Sequence, residues 1–216
     1  MKRALIVWGG WPGHEPEQGA AAVAAMLRAV DFDVRVEAGT AALADPAIRS
    51  LDLIVPVCTM MTAQKAEIEN LTAAVEGGVG FGGYHHMADA FRSESRYQFM
   101  VGGQFVAHPG NIIDYRVEVT KPDDPVMQGI DGFAYRSEQY YLHVDPSNEV
   151  LAITRFSGEH AFWTKGVVMP VVWKRRHGRG RVFYTSLGHL PAELSHPQAR
   201  QILQRGLLWA AAATEG

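Results

Sequence analysis

The side chains able to do chemistry lie in five short stretches. The run "GFGGYHHMADAF" (80–91) ends an apolar, glycine-laced segment in Tyr84, His85 and His86. A strand-to-helix corner of this kind holds the nucleophile in many α/β enzymes, yet this one has no serine or cysteine. "GGWPGHE" (9–15) contributes Trp11 and His14, "VGGQFVAHPG" (101–110) His108, "RSEQYYLHVD" (136–145) Glu138 and Tyr140, and "RVFYTSLGH" (181–189) a terminal His189. A neutral imidazole can act as base, hydrogen-bond donor or metal ligand. A carboxylate beside a tyrosine can orient such a ring, accept a proton or bind sugar hydroxyls. Four of the stretches also have a plainer reading: a tight turn around His14, a surface histidine before the proline at 109, a solvated edge strand around Glu138, and a packed His85 that only fixes its turn, with His86 structural. Ser186 lacks the Gly-x-Ser-x-Gly frame of a serine hydrolase, and the glycine loop lacks both the P-loop ending and the dinucleotide spacing. Cys58 reads as a buried, inert thiol.

Hydrophobic patterning predicts the elements that hold these residues. Residues 4–8 form a continuous apolar run, as in a buried parallel strand. Val23, Met26, Leu27 and Val30 mark one face of a helix over 17–30. Strands are expected at 32–38 and 51–57, and a helix over 63–75 capped by Thr62. The strand of the opening stretch should run straight into another helix, whose N-terminus would put a positive dipole end at His85. This order predicts a parallel sheet with helices on both faces. Strands at 112–119, 133–144, 149–155, 169–175 and 181–186 have no long helices between them and predict an antiparallel extension. Along 133–144, alternation puts Glu138 and Tyr140 on one face. A last helix starts near Pro197 with Ser195 as its cap. No linker or repeat divides residues 1–216, so one domain is expected. Ligands of such sheets bind beyond the carboxyl ends of the parallel strands, and that edge gathers residues 9–14, 58–60, 84–86 and 186–189.

The bulk numbers narrow the classes. Of 216 residues, 47% are hydrophobic and 20% charged, with a net charge of −3 and no basic block. Nucleic acid and anionic membrane are therefore not expected as partners. The apolar patch near the start breaks at Gly9 and Gly10, too soon for a signal peptide. One cysteine excludes an intramolecular disulfide and suits the cytoplasm.

Taken in order, "GFGGYHHMADAF", "VGGQFVAHPG", "PVMQGIDGFAYRSEQYY" and "GRGRVFYTSLGH" resemble the trehalose-utilisation (ThuA-like) family. The resemblance implies a flavodoxin-like three-layer α/β sandwich of the class I glutamine-amidotransferase type. His85 then stands at the place of the amidotransferase cysteine, and His189 resembles the late histidine that activates it. Without a thiolate, glutamine hydrolysis through a thioester is lost. Gly83, His85 and Asp89 keep the family's Gly-x-His-x-x-x-Asp pattern, while His86 and Met87 replace smaller residues. The resemblance also implies carbohydrate use in a pathway where a partner dehydrogenase makes a 3-keto sugar.

Enolisation of a keto sugar needs a base, a proton donor and a stabiliser for the enolate oxygen. His85, His108, Glu138 and His189 could fill these roles, with Glu138 or His189 first as base. His14, Trp11, Tyr84, Asp89 and Tyr140 are the expected sugar contacts. The same three histidines and one carboxylate would suit a divalent metal. Two further readings stay open: a non-catalytic sugar-binding or regulatory protein, and a metal-dependent hydrolase. Exposed edge strands suggest a homodimer.

Overall fold

The alternation along residues 4–7 decides the layering. Ala4 and Ile6 pack into one hydrophobic core, Leu5 and Val7 into the other, all at most 1% exposed. A strand buried on both faces needs cover on both sides. The computed structural model describes residues 1–212. Its first half alternates β1 (Lys2–Gly10), α1 (Pro16–Arg28), β2 (Phe32–Ala38), β3 (Leu53–Thr59), α2 (Lys65–Glu76) and β4 (Gly80–Tyr84). There follow α3 (Ser95–Val101), β5 (Gly103–Ala107), β6 (Ile112–Val119), β7 (Phe133–Glu138), β8 (Tyr141–Val144), β9 (Glu149–Arg155), β10 (Val168–His177), β11 (Gly180–Thr185) and α4 (Pro197–Ala210).

Among the described residues the main sheet has the order β2-β1-β3-β4-β11-β10-β9-β6-β7. Its first five strands are parallel, in the flavodoxin-like order with β11 as the fifth strand. The other four extend it antiparallel. Helices α1 and α4 cover one face, α2 and α3 the other. No helix among the described residues is long and apolar enough to cross a membrane.

Four expectations are corrected. The corner after β4 opens into a single 3-10 turn, His85–Ala88, and the next α-helix waits until Ser95. The dipole expected at His85 therefore has no helix behind it. The strand expected over 133–144 is two: β7 stays on the main sheet, and β8 pairs with β5 in a separate two-stranded sheet. The break falls at Gln139, whose side-chain amide donates to Thr154 Oγ1 at 2.8 Å. Helix α2 is capped at Gln64, whose backbone N–H donates to Glu67 Oε2 at 2.7 Å, rather than at Thr62. The last helix is capped at His196, because the Ser195 hydroxyl is turned back to Ala192 O at 2.6 Å.

Candidate functional site

The carboxyl ends of β1, β3, β4 and β11 meet at one rim, where the sheet order reverses between β1 and β3. Gly10 pairs in register with Thr59, and Thr185 with Tyr84. Gly10 is required there: its φ is +93°, and a Cβ would run into the Thr59 carbonyl. That tight crossing lets the following loop bring His14 back over β3. Gly188, at φ +96°, turns the chain after β11 so that His189 faces the same rim, and its missing Cβ leaves room for the Tyr84 ring.

His85 sits on the corner with φ +24°, a left-handed strain typical of an elbow that over-determines one side chain. The ring is fully buried. Its Nδ1 lies 2.9 Å from the carbonyl oxygen of Ser186, which can only accept, so Nδ1 carries the proton and donates. Nε2 then offers a bare lone pair. Around it gather the Tyr140 hydroxyl at 2.6 Å, Glu138 Oε2 at 3.2 Å and His189 Nδ1 at 3.3 Å. Glu138 Oε2 and His189 Nδ1 are themselves 3.3 Å apart. On the other carboxylate oxygen, His108 Nε2 lies 3.6 Å from Glu138 Oε1. Burial favours the neutral acid of Glu138. The hydrogen bond donated by His189 opposes this, and the carboxyl is held well below the usual range.

His14 belongs to the same group. Its Nδ1 lies 2.8 Å from Thr59 Oγ1, Thr59 Oγ1 lies 3.1 Å from His86 Nδ1, and the two Nδ1 atoms are 3.0 Å apart. The triangle is satisfied when His14 Nδ1–H donates to Thr59 and the Thr59 hydroxyl donates to His86. His14 Nε2 is then the nitrogen free for a ligand. Burial, followed by the neighbouring His85 and His189, lowers the His14 pKa to about 3, so the ring is neutral near pH 7. One donor atom each from His14, His85, Glu138 and His189 lies within 4.8 Å of all the others.

Above this cluster opens a cleft of about 380 Å³, within the range of small-molecule sites. Trp11, His14, Asp89, His108, Glu138, Tyr140 and His189 reach it. Trp11 is half exposed and meets His14 edge-on at 4.7 Å. Asp89 is buried and pairs with Arg92. Burial raises its pKa, and Arg92 only partly opposes this. His85 lies beneath the cleft and does not line it. Tyr84, expected as a sugar contact, does not reach the cleft either. It packs in the α1/α4 core, with its hydroxyl over Gly19 of α1, because the residue before the elbow points to the opposite face of β4.

Sequence reasoning passed over Arg92, Phe105 and Asn111 on the cleft wall. It also missed Glu193, whose Oε2 accepts from Ser137 Oγ at 2.8 Å, Tyr135 Oη at 3.0 Å and the backbone N–H of His189 at 3.0 Å. Nothing in the pattern of residues 190–196 marks that role.

The parallel half-sheet with its antiparallel extension, the strained elbow and the late histidine define a flavodoxin-like α/β protein whose rim carries imidazoles and one carboxylate. The chain belongs to the ThuA family, described as trehalose utilisation, whose model matches residues 3–210. A ThuA-like protein of Parabacteroides merdae is similar in structure at TM-score 0.80 and 17% identity, over 100% of this chain and 92% of that one. One from Bacteroides uniformis gives 0.78 and 20%, over 97% and 91%. A β-galactosidase of Bacillus circulans matches at 0.62 and 12%, over 97% of this chain and 30% of its own. No curated protein matches.

Proposed function

We propose that this chain is a cytoplasmic enzyme of carbohydrate utilisation that moves a proton on a sugar or 3-keto sugar bound in the cleft. The observation that carries this reading is the convergence of Glu138, His189, Tyr140 and His85 within 2.6–3.3 Å beneath a cleft of sugar-compatible size. Membership of a trehalose-utilisation family supports the substrate class, and the related fold within a β-galactosidase is consistent with it.

Chemistry divides the roles. A carboxylate held so far below its ordinary range is ionised but a weak base. Glu138 is therefore better suited to orient His189 than to abstract a proton itself. With His189 Nδ1–H donating to Glu138, its Nε2 is the bare nitrogen that takes the proton next to a sugar ketone. The pKa of Tyr140 is raised by burial, so it keeps its hydroxyl proton, which it gives to His85 Nε2 at 2.6 Å and would have to turn away from that ring to donate to the developing enolate. Trp11 offers a face at the cleft mouth for a sugar ring. A dehydrogenase of the same pathway would supply the ketone, and a homodimer is the assembly to test by light scattering.

The test incubates the protein with a 3-keto disaccharide in deuterium oxide and follows the protons flanking the ketone by NMR. Exchange or a new product, lost in His189→Ala, is the expected result. Saturable binding with no exchange and no product would instead favour a non-catalytic sugar-binding protein.

A further inference from the structure

We infer that His14 Nε2, His85 Nε2, Glu138 Oε2 and His189 Nδ1 form a binding site for a divalent first-row metal ion of the zinc class. Three observations converge on this. The first is a conflict of lone pairs. Because His85 Nδ1 donates to the Ser186 carbonyl, Nε2 has no proton, yet it lies 3.2 Å from an acceptor oxygen of Glu138. The two acceptors share no hydrogen with each other, and a cation set between them would satisfy both at once. The second is size. Zinc bonds nitrogen and oxygen at about 2.0–2.1 Å, so the edges of its tetrahedron are about 3.3–3.4 Å. The edges found between His85, Glu138 and His189 are 3.2, 3.3 and 3.3 Å. They match one face of such a tetrahedron, and a ring nitrogen of His14 lies within 4.8 Å of the other three donor atoms.

The third observation is the outer shell. Metal-bound histidines characteristically donate their other N–H to a carbonyl, a carboxylate or another polar acceptor, which fixes ring and tautomer. His85 does this to Ser186 O, and His14 does it to Thr59, which is in turn tied to His86. His86 thereby positions His14 through the shared threonine.

The site rests on these residues alone; its consequence for catalysis rests on the reading of the cleft as a sugar site. A bound ion would stabilise an enolate oxygen or activate water. It would use the lone pair of His85 that Tyr140 now occupies, releasing the Tyr140 hydroxyl toward substrate. It would also use His189 Nδ1, which leaves His108 as the imidazole available at the cleft wall for proton abstraction.

Full-length protein stripped with a chelator, incubated with zinc or cobalt(II) and desalted should retain about one equivalent per chain by elemental analysis. Cobalt should show the visible bands of a low-coordinate nitrogen/oxygen site. His85→Gln and His189→Gln, which nearly preserve volume, should retain less than about a tenth of that. Thr59→Val should weaken binding about tenfold, as loss of an outer-shell partner does. Tyr140→Phe, which removes a competitor for the His85 lone pair, should bind as tightly as the parent or tighter. His143→Ala, on an exposed strand, should change nothing. Circular dichroism confirms that each variant is folded. Retention of no more than trace metal by the folded parent, or full retention in both glutamine variants, would overturn the proposal. Proton exchange by the stripped protein would uphold the sugar reading, and if the parent also held no metal the ion would be overturned alone. Metal binding without exchange would uphold the metal site and overturn the sugar reading.

Discussion

Replacing Glu193 should disarm His189 without touching the cleft. One oxygen, Glu193 Oε2, accepts three hydrogen bonds, from Ser137 Oγ, Tyr135 Oη and the His189 backbone N–H. Tyr135 Oη in turn accepts from the backbone N–H of Gly188 at 3.1 Å. Both residues that turn the chain after β11 are therefore tethered to one carboxylate. Hydrogen bonds to a charged group contribute roughly 1.5–3 kcal/mol each. Three converging on one atom are not additive, and the Ser137 hydroxyl loses its partner in a fully buried position. Glu193→Ala should cost about 2–4 kcal/mol. For a chain of this size that lowers Tm by roughly 5–15 °C, at about 2–4 °C per kcal/mol. Glu193→Gln keeps an acceptor oxygen in place without the charge and should cost about half as much.

The consequence at the site separates positioning from simple destabilisation. Below its Tm, Glu193→Ala should bind zinc or sugar about 10–100-fold more weakly, because His189 loses the anchor of its own peptide group. Thermal unfolding with titration calorimetry measures both effects. A Glu193→Ala protein within about 0.5 kcal/mol of the parent and with unchanged affinity would refute the reasoning.

Two more outcomes follow from buried groups away from the cleft. The Tyr84 hydroxyl is buried with no partner, and a Cβ on Gly19 would lie 2.6 Å from it. Tyr84→Phe should therefore be neutral or stabilise by about 1–2 kcal/mol in urea unfolding and leave sugar binding intact; a loss of binding would return Tyr84 to the site. Burial raises the Cys58 pKa to about 12, so the native thiol should resist a thiol-reactive chromogen at pH 8 and react fully once the chain is unfolded. Rapid labelling of the folded protein would show that this core opens.

The legible part of the fold is the part governed by period and burial. Continuous apolar runs at β1 and β3 announced strands covered on both sides, and from that layering the ligand edge followed. The imidazoles of His14, His85 and His189 could be gathered because each follows an expected strand. His108 lies in a stretch with no regular period, so the strand before it, Gly103–Ala107, was not foreseen. The end of β7 was not legible, since Glu138, Gln139, Tyr140 and Leu142 are all buried and alternation carries no mark of a change of sheet. The helix expected after His85 was not legible as a turn, because apolar Met87, Ala88, Ala90 and Phe91 are needed by the core either way. The supports of the site were the least readable. Ser186 acts through its carbonyl and Gly188 through its amide, groups that every residue carries. Glu193 acts by a convergence that only the tertiary fold creates.

The elbow itself was recognised from its glycines and position, but its meaning shifts once the depth of the side chain is known. A nucleophile must reach its substrate, and a fully buried imidazole that does not line the cleft cannot. The strain at His85, about 1–3 kcal/mol for a non-glycine residue at φ +24°, is therefore not spent on exposing a reactive atom. It holds Nδ1 on the Ser186 carbonyl and turns one lone pair up toward Glu138, His189 and Tyr140. The elbow thus forms the floor of a donor cluster. The backbone geometry that buries the His85 ring also makes Nε2 available to a proton or a metal ion shared with the residues that do face the cleft.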